Sequence, residues 1–103
     1  MQFLVTGRDG TDEAALGRRM ASRSAHIEAC DVLFKSGKLL FGVALTNDEG
    51  TMVGSSMVFD TDSREELDAL LAVEPYVQNN VWATVDVQPC KLGPTFLSLY
   101  EDK

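Results

Sequence analysis

This 103-residue chain holds few of the residues that usually announce a chemistry: one histidine, one tryptophan and two cysteines. A single histidine with no cysteine pair supplies too few ligands for a transition-metal site. Cys30 and Cys90 share no Cys-x-x-Cys spacing and are too few for a disulfide framework, so they read as buried thiols kept in a reducing compartment. Positive charge is scarce as well. Nine Lys and Arg face sixteen Asp and Glu, for a net charge of −7, and Arg18-Arg19 is the only basic pair. Such a surface repels polyanions, which argues against nucleic-acid binding and against docking on an acidic membrane. No apolar run approaches the roughly 18 residues of a spanning helix, and no charged-then-apolar leader opens the chain, so a cytoplasmic protein is expected. No glycine-rich loop leads a strand into a helix to cradle a phosphate. Repeats, low-complexity tracts and linkers are absent too, and the length fits one domain around one core, with no room for a cofactor domain.

What is present is an ordinary globular balance, 45% apolar and 24% charged. Gln2 to Thr6 is a short apolar run closed by Gly7 and the Asp9-Gly10 turn signal, which predicts a central strand. Leu16, Met20, Arg23, Ile27, Cys30 and Phe34 then recur at three- and four-residue steps, the face of a helix that ends near Lys35-Ser36-Gly37. Two starts fit this helix: before Leu16, with Gly17 as a weak point in the first turn, or at Ser22 as an N-cap. Leu39 to Thr46 and Val53 to Phe59 alternate around Asn47-Asp48-Glu49-Gly50 and predict a hairpin. Ser63 followed by Glu66 is a capping box for a second helix with Leu67, Leu70 and Leu71 inward, stopped by Pro75. A last strand spans Val81 to Val87. The acidic turn Asp48-Glu49 and the tail Glu101-Asp102 read as solvated charge.

The order β-α-β-β-α-β closes most simply into an α+β, ferredoxin-like fold, an antiparallel sheet with both helices on one face. Trp82, Met52 and Val58 are expected on the other, open face. Small monomers seldom leave such a patch to water, so a second copy of the sheet is the expected cover.

Among the candidate functional residues, His26 is the one side chain whose unperturbed titration lies near neutrality. It falls at the edge of the helix's apolar stripe, beside Cys30 and Arg19. The plain alternative is a boundary histidine bonded to a backbone carbonyl.

Several short motifs, taken in order, resemble the YCII-related family. Arg23-Ser24-Ala25-His26-Ile27 is similar to its Arg-x-x-His-Leu helix motif, and Gly37-Lys38-Leu39 with Gly42 to its Gly-x-Leu…Gly. Gly54-Ser55 matches a Gly-Ser on the third strand, Glu74-Pro75-Tyr76 stands where the family has Asp-Pro-Tyr or Asp-Pro-Phe, and Val87-x-Pro89-Cys90 where it has Val-x-Pro-Phe. Glu74 is one methylene longer than the family's aspartate, and Cys90 replaces an aromatic ring. The resemblance implies a homodimer paired sheet to sheet as a dimeric α/β barrel. It also implies a cofactor-independent acid/base enzyme, of lyase or isomerase type, for a small anionic or cyclic substrate. In that reading His26 is the base and Glu74 orients it, while Arg23, Ser55 and Tyr76 contact substrate. Three alternatives stand beside it. Arg23 could form a structural salt bridge to Glu74, Ser55 could be packing beside Gly54, and the whole cleft could belong to a non-catalytic, ligand-binding dimer.

Overall fold

The computed structural model describes residues 1–101, so Asp102 of the acidic tail lies outside the described residues. Its elements are β1 (Gln2–Asp9), α1 (Ala15–Lys35), β2 (Leu39–Thr46), β3 (Met52–Asp60), α2 (Arg64–Ala72), α3 (Pro75–Gln78), β4 (Trp82–Cys90) and a C-terminal 3₁₀ segment, Pro94–Tyr100. The four strands form one antiparallel sheet in the order β2-β3-β1-β4. Leu67 of α2 and Cys30 and Leu33 of α1 pack on the same core of Phe3, Val5, Leu39, Met57 and Phe59, so both long helices cover one face. The fold is ferredoxin-like, as the order of elements implies.

Helix α1 takes the earlier of its two possible starts. Arg18 grips Asp12 with two 2.7 Å hydrogen bonds and holds its carboxyl down at about 2, and it also donates to the Asn80 carbonyl. This clamp anchors the first turn, and Gly17 faces open space with nothing to lose. The inward stripe is also displaced from the expected one. Ala15, Arg19 and Ser22 are buried, whereas Leu16, Met20, Ile27 and Phe34 are exposed. α1 thus turns Arg19 inward, into the ion pair described below, along with Cys30 and Leu33 on the core.

The second helix starts as its cap predicts, with Ser63 Oγ accepting from the Glu66 N–H at 3.0 Å. Glu66 returns the contact to Asp62 N–H, one residue earlier than a capping box requires. Pro75 does more than stop this helix. It sits at the first position of α3, where its fixed φ and missing N–H are tolerated, and Glu74 is the cap of that short turn.

Two bulges correct the expected faces. Arg8 pairs with Thr84 but Asp9 with Trp82, so Ala83 is skipped and Trp82 crosses to the helix-covered side, where it is buried. There its indole lies against Gly7, and any Cβ at that position would collide with the ring. Likewise Leu45 pairs with Gly54 but Thr46 with Met52, and Met52 ends up beneath α1 instead of on the open face. Val58 stays on the far face, as expected, beside Leu4 and Phe41. That face is partly covered by the chain itself. The 3₁₀ segment crosses it, tied by Tyr100 Oη donating to the Leu40 carbonyl at 2.9 Å, and encloses a cavity of about 500 Å³ with Phe96 and Leu99. No helix among the described residues is long and apolar enough to cross a membrane.

Candidate active site

Steps of four, three and four residues place Arg19, Arg23, His26 and Cys30 on one stripe of α1. Beneath that stripe the edge of the sheet leaves a cavity of about 280 Å³, lined by these four side chains together with Gly42, Ser55, Met57 and Tyr76.

The residue before a proline is driven out of helical geometry, and Glu74 is accordingly extended, with φ −66 and ψ 126. This turns its carboxylate back over α3, where Oε1 accepts the Tyr76 N–H at 3.0 Å. The same oxygen meets His26 Nδ1 at 2.6 Å. Both side chains are largely removed from water, at 4% exposure for Glu74 and 13% for His26. An ionised carboxylate can only accept, so in this contact an ionised Glu74 takes its hydrogen bond from Nδ1–H, and Nε2 is the nitrogen turned away from Glu74. The longer arm of Glu74 does not keep it from the ring.

Tyr76, two residues on, stacks on the imidazole with centroids 3.9 Å apart, and Trp82 meets both rings edge-on. Burial pushes the Tyr76 phenol upward, partly opposed by Arg19 and Arg23, so it stays protonated at neutral pH. Its hydroxyl makes no hydrogen bond to the described residues. Cys30 Sγ lies 3.5 Å from His26 Nε2, one helical turn along. Burial, with Glu74 and Asp31 adding, pushes this thiol up to about 12, which keeps it from serving as a nucleophile at neutral pH.

Arg23 is exposed at the cavity wall and forms no ion pair with the described residues, so the expected alternative of a bridge to Glu74 is not realised. The buried arginine is Arg19, a member of the one basic pair and a neighbour of His26 on the helix face. Its Nη1 donates to both Asp9 carboxylate oxygens at 2.9 and 3.1 Å, with side-chain exposures of 3% and 4%. Nη2 donates to Ser55 Oγ at 2.8 Å, and the guanidinium lies 4.8 Å from the Tyr76 ring centre. Nε is buried without a partner among the described residues. Ser55 therefore does more than provide space. Its oxygen accepts from Arg19 and, at 3.4 Å, from the Trp82 indole, which leaves its own O–H available. The structure thus brings His26, Tyr76, Ser55 and Arg23 to the wall of one cavity and adds Arg19, while Glu74, Asp9 and Trp82 stand behind them, bonded to His26, Arg19 and Ser55 respectively. The spacing from Arg19 to His26 was the one available signal for Arg19. Among the described residues no three His, Cys, Asp or Glu side chains gather as a metal ion would require.

These features define a ferredoxin-like α+β protein with a buried histidine–carboxylate pair at the wall of a small cavity. The chain belongs to the YCII-related family, whose sequence model matches residues 1–91. It is 29% identical over 97 residues to Protein YciI of Escherichia coli O6:H1 and equally to that of Shigella flexneri, covering 88% of this chain and 97% of each relative. Its fold is similar to that of a 5-chloro-2-hydroxyhydroquinone dehydrochlorinase from Burkholderia phenoliruptrix AC1100, solved in complex with 2,5-dihydroxybenzoquinone. That match has a TM-score of 0.77 at 22% identity and covers 92% of this chain and 98% of the other.

Proposed function

We propose that this protein is a cofactor-independent acid/base enzyme of the lyase or isomerase type, acting on a small anionic or cyclic organic substrate. The observation that carries the reading is the 2.6 Å contact between His26 Nδ1 and Glu74, which leaves Nε2 of the same ring beside the cavity. A carboxylate behind an imidazole fixes its tautomer and supports the charge the ring gains when Nε2 removes a proton from substrate. The negative charge left on the substrate meets Arg23, unpaired at the wall, with the hydroxyls of Tyr76 and Ser55 as further donors. The proton then returns to another atom in an isomerisation, or a leaving group departs in an elimination. Neither outcome draws on a bound cofactor or metal.

A cavity of about 280 Å³ suits a single-ring compound. The dihydroxybenzoquinone bound by the dehydrochlorinase recommends hydroxylated and halogenated quinols as the first compounds to try. The protein acts in the cytoplasm as a homodimer, a reading supported by the exposed Phe41, Phe96 and Leu99 around the far face of the sheet. Light scattering at low micromolar concentration checks the dimer, and a monomer mass removes it.

A second reading, a dimer that holds a metabolite without turning it over, is favoured by one observation. Both imidazole nitrogens have partners, Glu74 and Cys30. A thermal-shift screen of small cyclic acids and phenols separates the two. A ligand at 100 times its Kd stabilises the fold by about 2.7 kcal/mol. The hits are then assayed for turnover with the wild type and with His26→Ala, which should lose about 10² to 10⁴-fold in rate while remaining folded. A hit that binds and is not consumed supports the binding protein.

A further inference from the structure

We propose that Cys30 is a positioning residue for His26: its S–H donates to Nε2 while Glu74 accepts from Nδ1–H, so the ring is held from both ends until substrate takes the thiol's place. The inference rests on the reading of His26 as the base. Its structural ground is independent of that reading. His26 and Cys30 are four residues apart on α1, a spacing that brings side chains together on one helix face, and Sγ lies 3.5 Å from Nε2. Tyr76 stacks 8° from parallel on the imidazole and fixes its plane, so the thiol governs the in-plane direction that the stack leaves open.

A thiol suits this place because it is a weak donor. It occupies the nitrogen's lone pair firmly enough to orient the ring against Glu74, and yields to a better partner at small cost. Burial keeps the sulfur protonated, hence a donor, throughout the neutral range. A serine hydroxyl in its place would bind Nε2 more strongly and be harder to displace.

The chain has one histidine, so its two ring nitrogens give the only imidazole signals in a nitrogen-15 spectrum of the side chains. Substrate-free wild type, Cys30→Ala and Cys30→Ser are compared at the same mildly alkaline pH. Wild type should carry its proton on Nδ1 and show Nε2 displaced from the position of a free lone pair. In Cys30→Ala the Nε2 signal should move to the free position, and in Cys30→Ser it should move the opposite way, past wild type. An Nε2 signal that is the same in wild type and Cys30→Ala, or a wild-type ring protonated on Nε2, overturns the proposal. Should Cys30→Ala fail to fold, the displacement in Cys30→Ser decides it, and no displacement there overturns it equally. The measurement needs no turnover. If the signals shift as expected but the screen's ligands are never consumed, the base reading fails and the role of Cys30 in holding the ring stands.

Discussion

The rings of His26 and Tyr76 lie face to face, 3.9 Å between centroids and 8° from parallel. One carboxylate oxygen, Glu74 Oε1, binds the imidazole of the first and the backbone N–H of the second. The stack and the hydrogen bonds therefore share an anchor, and neither ring can turn without disturbing the other.

That anchor sets the expected effect of Glu74→Gln. The Tyr76 N–H selects the amide oxygen for the inner position, so the ring keeps an acceptor for Nδ1–H but loses the charge that supports its protonated form. The variant should fold, and its rate on any substrate found should fall by less than the about 10² to 10⁴-fold expected of His26→Ala. Side-by-side kcat measurements check this, and an equal or greater loss in Glu74→Gln would contradict it.

Removing one member of the buried Arg19–Asp9 pair leaves an uncompensated charge in the wall. Asp9→Ala should destabilise the protein by about 3–5 kcal/mol in urea unfolding. Replacing both residues by apolar ones, Arg19→Met with Asp9→Leu, should recover much of that loss, because the desolvation cost disappears with the charges. A single variant as stable as wild type would show that the pair is open to water in solution.

Gly7→Ala should cost about 1–3 kcal/mol, the usual penalty for forcing an extra carbon into a filled core, and should change the near-ultraviolet circular dichroism of the chain's one tryptophan. A spectrum and midpoint identical to wild type would mean that the indole does not rest on Gly7.

Both cysteines are free, and the folded state holds the Cys30 proton more tightly than the unfolded chain does. Its thiol goes from 9.0 up to about 12 on folding, so the stability it contributes is complete below pH 9.0 and is lost as pH rises toward about 12. Wild type should therefore weaken more steeply than Cys30→Ala across that window in urea titrations, other groups cancelling in the comparison. Parallel curves would refute the assignment.

The meeting of His26 with Glu74 was implied by the family resemblance and not by any local signature, whereas the element order was legible in the sequence, because caps and turns leave local signatures. The Asn47 side chain, for example, accepts from the N–H groups of both Glu49 and Thr51 and shapes the hairpin turn as its sequence suggests. Arg19 was not legible as a buried group. An arginine shows no sign of burial until its partner is known, and Asp9 lies across a turn on a different element. Nor were the bulges. A skipped residue such as Ala83 or Val53 carries no compositional mark, yet it reverses the alternation on which every face assignment depends, and so Trp82 and Met52 were expected on the wrong side.

The bulge opposite Asp9 makes the surroundings of the imidazole a matter of parity. Were Ala83 to pair with Asp9 in an unbroken ladder instead of being skipped, Trp82 would fall one position further on, and the indole would leave Gly7, Ser55 and the two stacked rings for the opposite face of the sheet. No side chain lining the cavity would have changed, but the slab of aromatic surface behind the imidazole would be gone. In this architecture the pairing of one residue at a strand end can therefore change the surroundings of the imidazole more thoroughly than a substitution beside it.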